Sequence, residues 1–300
     1  MRTSLQAGAI RPSREDRINL AVVNVCVTLA LVLVAYPLWF VLIASVSDPG
    51  AIYAGHVWFW PVSPTLAGYE RILGTASIWR GYANTIFYAV LGTLLNITMT
   101  VTVAYPLSTR RFSGRYVLMI FLLATLYFEG GLIPKYLLVR SLGLLDTRAI
   151  MVIMGAAMVW HIIVTRTFFQ TTIPEELYEA AAIDGCNHIP FFVRIVLPLS
   201  RPVIAVLAIY YGVGHWNEFF NALIFLDDQQ KYPLQLVLRS ILILDDPETV
   251  TDIADLKERQ HAAELIKYGS IVVASLPLLL VYPFLQKYFV QGIMIGSLKG

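Results

Sequence analysis

The pattern that most constrains this chain is a series of long apolar runs, each able to cross a bilayer as one helix. A hydrocarbon core of ~30 Å needs about 20 mostly apolar residues at ~1.5 Å per residue. Six candidate spans of that kind lie at about 18–44, 82–107, 116–133, 149–169, 203–226 and 268–289. Inside lipid every backbone N–H and C=O must be satisfied within the segment, so runs of this length predict helices. Composition agrees: 57% hydrophobic and 14% charged side chains, with a mean hydropathy of +0.67, exclude an ordinary soluble domain. The run at 203–226 is the most polar, because it contains His215, Trp216, Asn217 and Glu218. Six spans require accepting it.

Orientation follows from Lys and Arg in the short connections. Arg110, Arg111 and Arg115 crowd the link 108–115, which has no acidic residue, and Arg2, Arg11, Arg14 and Arg17 mark the N-terminal stretch. That stretch has no apolar segment ending in a small-residue cleavage site, so residues 1–17 are expected to stay as a cytoplasmic tail. The two signals agree across one hairpin. Alternation then places 170–201 and the tail 291–300 on the cytoplasmic side, and 45–81, 134–148 and 227–267 outside. The last of these is acidic, from Asp227 and Asp228 to Glu258 and Glu264, as suits a solvated loop with a helix over about 249–267. With no internal repeat or low-complexity tract, one membrane domain over 18–290 is the simplest division.

Within 170–201 the residues prescribe a short exposed helix. Pro174 precedes Glu175, Glu176 and Glu179, a proline and acids at the positive end of a helix dipole. Gly185 ends or bends it. Ala180, Ala181 and Ala182 give it a slim surface that suits a groove in another protein, and Arg194 and Leu197 follow on a second segment. An ordinary amphipathic connector would share these features.

The order Glu179-Ala180-Ala181, Gly185, then Ile195-x-Leu197-Pro198 resembles at every position the EAA signature of permease subunits of bacterial ABC importers. The resemblance implies an all-α membrane protein of the type I importer permease fold, with six transmembrane helices and a cytoplasmic coupling loop. Glu179, Ala180, Ala181, Asp184, Gly185 and Pro198 would then meet the ATP-binding subunit. The runs 216–223, 198–202, 130–134 and 142–147 are similar to carbohydrate-uptake permeases, and most to importers of lactose and polysaccharide fragments. Gly292 to Gly300 is similar to the tail of the second permease of maltose-type importers, which reaches into the ATPase dimer. The second permease of an alginate importer has the same length and layout, although no residue here reads out a uronic acid.

As the resemblance has it, the partners are a second permease subunit, a dimer of ATP-binding subunits, a solute-binding protein that meets the 227–267 loop, an oligosaccharide, and membrane lipid. The site would be the bacterial inner membrane, with both termini cytoplasmic. ATP and Mg would be bound by the partner ATPase, and no cofactor by this chain. A P-loop needs Gly-Lys, and the sequence has no such dipeptide. His161, His188, His215 and His261 lack metal-ligand spacing, and Cys26 and Cys186 suggest no disulfide. A net charge of +2, with cations scattered among loops rather than gathered into a stripe, is too small to imply nucleic acid, and none is expected as a partner.

Ionisable residues at membrane depth are candidates for a substrate path. Here they are Glu129 and Glu218, the latter beside Trp216 and Asn217, a set able to stack on a sugar face and accept its hydroxyl hydrogen bonds. Packing against a partner helix is the competing explanation. Tyr53, Trp58, Trp60 and Trp79 suit an interfacial belt. Two rival functions stay open. An ion-coupled secondary carrier would show an inverted repeat. A membrane-embedded enzyme would use Asp184, His188, His215 and Glu218, which the span assignment separates.

Overall fold

In a computed structural model, residues 13–244 and 266–283 are described. Among them every regular element is helical. The helices are α1 (Arg14–Ala44), α2 (Pro49–Tyr53), α3 (Ala67–Gly74), α4 (Ala76–Ser108), α5 (Arg115–Tyr127), α6 (Leu132–Ser141), α7 (Arg148–Ile153), α8 (Val159–Thr172), α9 (Glu175–Ile183), α10 (His188–Leu199), α11 (Arg201–Trp216), α12 (Phe220–Phe225), α13 (Leu234–Leu244) and α14 (Ile266–Pro283).

Ser13 starts α1 with a capping box: its hydroxyl accepts the Glu15 N–H, and Asp16 accepts the Ser13 N–H. The helix then runs 31 residues and buries only Ile43 and Ala44. Leu33 is 77% exposed, a burden that lipid removes because hydrocarbon solvates it. At 33 residues α4 is ~50 Å long, so it overshoots the hydrocarbon and carries structure beyond it.

α4 is the axis of the molecule. Its first turns, with Ile78, join Ile72, Trp216, Leu234 and Val273. Tyr88 joins Ile150, Met151, Phe225 and Leu236. Its last turns, with Val101, Ala104 and Leu107, join Ile162, Phe169, Ala181, Phe191, Val196 and Leu207.

Three of the expected spans are not single helices. Among the described residues α1, α4 and α14 are long and apolar enough to cross alone, and the number reaches five only if two bent pairs each count as one. In the first pair α5 and α6 diverge by 114° around a break where Gly131 has φ +81°. In the second α10 and α11 diverge by 77° at Ser200, whose buried hydroxyl donates to the Val196 carbonyl at 2.6 Å. The run 149–169 is interrupted after α7, where Gly155 takes φ +75°. The run 203–226 breaks at Asn217, which caps α11, before α12. Positive φ is open to glycine at no steric cost, so each such glycine permits a turn that an average over apolarity does not register. Residues 249–265 of the helix expected over 249–267, the end of the 268–289 run, residues 1–12 of the expected N-terminal tail and the tail 291–300 lie outside the described residues.

Candidate functional site

α9 opens after Pro174 with Glu175 and Glu176 in its first turn, as the residue order predicts. It closes in a Schellman motif. Asp184 is the cap, Gly185 takes φ +70°, the Gly185 N–H reaches Ala182 O at 3.1 Å, and the Cys186 N–H reaches Ala181 O at 2.8 Å. Glu179, Ala180, Asp184 and Gly185 are exposed on one side, with Ile183 at 86%. Ala181 is buried and belongs to the underside of the helix.

That underside is fastened to α4 and α10 by a cluster of packed rings. Tyr178 of α9 lies 6.5 Å from Tyr105 of α4 at 19° between planes, and 4.5 Å from Phe191 of α10. Tyr105 also meets Phe192 at 4.6 Å. Burial pushes the Tyr178 hydroxyl above its usual pKa, with Ser108 beside it pulling the other way. α10 passes through one π-helical turn, Phe192–Val196, in which the Leu197 N–H reaches back to Phe192 O. Pro198, exposed, follows; it has no N–H for the carbonyl of Arg194, and its ring crowds that carbonyl, so the widened turn relieves the clash. Beneath, Arg166 Nε donates to Leu107 O at 2.9 Å and Gln170 Nε2 to Ser108 O at 3.4 Å, satisfying carbonyls left free where α4 ends.

The candidate path residues part company. Trp216 is 7% exposed, and its indole N–H donates to Ala274 O at 2.9 Å on α14, so its ring packs helices together in this conformation. Asn217 is exposed and donates to Val213 O. Glu218 is half-buried, and its two carboxylate oxygens accept the Asn221 backbone N–H at 2.9 Å and the Asn221 side-chain N–H at 2.7 Å. Glu129 is exposed in the break between α5 and α6. Asp184 and His188 flank the turn after α9, whereas His215 and Glu218 belong to the far end of α11, so the acid–base set of an enzyme is not assembled.

Sequence reasoning did not anticipate two clusters. His215 Nε2 lies 3.2 Å from Asn96 Nδ2 inside the α4–α11 contact. At the end of the molecule away from α9, Asp146, a non-glycine residue at φ +52°, accepts the N–H groups of Asp227 and Asp228 and pairs with Lys231 at 2.8 Å. The Lys231 hydrogen bond, followed by the Asp228 N–H, holds the Asp146 carboxyl below its ordinary range. Asn84, Thr85 and Tyr88 of α4 bind the same 230–234 segment through Gln230 O, Tyr232 O, Leu234 N–H and Lys231 O. No local pattern in the sequence signals these, because the partners stand from 81 to 149 positions apart.

A chain whose described regular elements are all helical, with long apolar helices left exposed and a short exposed helix bolted to the central one, has the architecture of a transport permease. Residues 74–295 match the family of binding-protein-dependent transport system inner membrane components, and the chain belongs to that family. It is similar to the protein LplC of Bacillus subtilis, 41% identical over 264 residues that cover 88% of this chain and 89% of that one. It is also similar to the polygalacturonan/rhamnogalacturonan transport system permease protein YtcP of the same organism, 39% identical over 80% of this chain and 84% of that one. Its structure resembles a chain in the crystal structure of a bacterial ABC transporter involved in the import of the acidic polysaccharide alginate. The TM-score is 0.83 and the identity 32%, covering 92% of this chain and 98% of that one.

Proposed function

We propose that this chain is one half of a heterodimeric permease that passes an oligosaccharide from a solute-binding protein into the cytoplasm by alternating access. A separate dimeric ATPase binds ATP and Mg, and this chain is non-catalytic and holds no cofactor of its own. The observation that carries the reading is the construction of α9, exposed on the side of Glu179 and Ile183 and locked on the other through Tyr178 to Tyr105. A push on such a helix moves α4 rather than bending a loop, which is what switching between two packed arrangements requires. With the arginines of 108–115 on the same side as α9, that side is cytoplasmic and both termini lie there. Glu179, Ala180, Asp184, Gly185 and Pro198 meet the ATPase, with Ala181 supporting them from beneath. Asn217, Glu218 and Glu129 border the path, and the 227–267 loop receives the binding protein. Two of the relatives named above handle acidic polysaccharides, so uronate oligomers are the first substrates to try.

The test is to purify the tagged chain from its native membrane in mild detergent and assay ATP hydrolysis with binding protein loaded with uronate or neutral oligosaccharides. Recovery of a second permease and an ATPase, with hydrolysis stimulated by loaded binding protein, is the expected result. Recovery of the chain alone, active in sugar flux without ATP, overturns it in favour of a secondary carrier.

A further inference from the structure

Beside α9 a half-open cleft of about 570 Å³ lies between the 108–115 turn, the end of α8 and the first turn of α9. Arg110, Arg111, Arg115, Arg166 and His188 line it, against the carboxylate of Glu175. Carbonyls orient two of the guanidiniums without neutralising them. Arg166 donates to Leu107 O, and Arg115 donates to Thr109 O at 3.3 Å and to the Tyr116 hydroxyl at 2.9 Å while lying 4.7 Å above the Tyr116 ring. Arg110 pairs with Glu175 at 3.1 Å on an exposed edge. Arg111 has no ion pair or hydrogen bond with any other described residue. Guanidiniums stay charged, so one carboxylate against four of them leaves a standing positive excess.

At its Arg115–Tyr116 edge the cleft adjoins the start of an exposed apolar helix. α5 starts at Arg115 and buries none of its 13 residues. Tyr116, Val117, Ile120 and Phe121 are 64 to 72% exposed. A phosphate with acyl chains attached would use both features, the phosphate among the arginines and the chains along α5. A free phosphate or an acidic protein segment would use only the first. Basic recesses between helices at a cytoplasmic boundary are suited to anionic headgroups.

We infer that this cleft binds the phosphate headgroup of an anionic phospholipid of the cytoplasmic leaflet, an inference that rests on the proposed cytoplasmic placement of α9. The bound phosphate competes with Glu175 for Arg110, so the lipid loosens the tie on the first turn of α9 and tunes how readily that helix follows its partner.

The experiment is native mass spectrometry of the full purified complex after delipidation, titrated with phosphatidylglycerol, phosphatidylcholine or inorganic phosphate. Wild-type complex is compared with the Arg111→Gln/Arg115→Gln double variant, and ATP hydrolysis is followed in parallel. The expected result is retention of phosphatidylglycerol over phosphatidylcholine by about tenfold, loss of that preference in the double variant, and weakening at high salt. Inorganic phosphate at millimolar concentration should leave the lipid in place. Displacement of the lipid by inorganic phosphate would overturn the lipid assignment in favour of a soluble anion. Equal retention of both lipids, an unchanged double variant, or no lipid on the intact complex would overturn the site itself. Loss of the ATPase from the double variant, with lipid binding unaltered, would assign the cleft to subunit docking. A complex without any ATPase would instead count against the importer reading, which keeps the two failures separate.

Discussion

His215 occupies the space that a side chain at position 92 would need: a Cβ built on Gly92 would overlap the imidazole ring. The α4–α11 crossing is therefore set by a glycine on one helix and a buried aromatic on the other. Asn96, one turn further along α4, holds the ring with its amide at 3.2 Å. Small residues at helix crossings in membranes bring backbones together in this manner.

Gly92→Ala should separate the two helices and lower the thermal stability of the purified complex, with an overpacking cost of roughly 1–3 kcal/mol. Gly92→Ala combined with His215→Ala should recover part of that loss, because the clash is removed. A double-mutant cycle on melting temperature measures the coupling. Strict additivity would show that the two residues do not meet.

Asp146→Asn keeps a residue type that tolerates positive φ and keeps an acceptor for the Asp227 and Asp228 N–H groups, but gives up the charge facing Lys231. The folded-state pKa of Asp146 is depressed, so its contribution is present above the unfolded value and is lost as pH falls through the folded one. That of Lys231 is raised, so its contribution is present below its unfolded value and lost only as pH climbs past the folded one. The pair is thus intact across the neutral range. The variant should melt earlier than wild type at neutral pH, and the difference should shrink below the ordinary Asp pKa of 3.8. A difference that stays constant into acid would show that the charge is not what Asp146 contributes.

Gly185→Ala places a Cβ where φ is +70°, with no neighbouring atom in the way, so the cost is backbone strain alone, of order 1 kcal/mol. Membrane insertion should be normal, and sugar uptake per ATP hydrolysed should fall several-fold. Gly185→Asn should be milder, since asparagine visits this conformation more readily. Equal transport by all three chains would remove the Schellman turn from the coupling account. Glu179→Ala, exposed and without a structural partner to lose among the described residues, should show the same uncoupling with unchanged stability.

Some of this architecture is written locally and some is not. α1 and α4 are legible because their apolar runs are long and the backbone stays helical through them, and α9 because Pro174, the acids and Gly185 are punctuation at both ends. The breaks in the third and fourth runs are less so, since Gly131 and Gly155 lower the average apolarity little while the backbone turns, whereas the fifth run shows its weak point in the polar Asn217 and Glu218. Trp216 looks like a sugar platform from its neighbours Asn217 and Glu218, yet its indole is committed to Ala274, 58 positions away. The Tyr105–Tyr178 stack joins residues that are ordinary in their own segments, and only the packing of α9 under α4 gives them a role.

The most direct test of that role is to measure uptake and ATP hydrolysis together in proteoliposomes for Tyr178→Phe and Tyr178→Ala. The account predicts near wild-type coupling for Tyr178→Phe, which keeps the ring, and for Tyr178→Ala a loss of uptake of about tenfold or more while hydrolysis continues. Undiminished uptake in Tyr178→Ala, with the complex intact, would contradict the claim that α9 drives α4 through this contact.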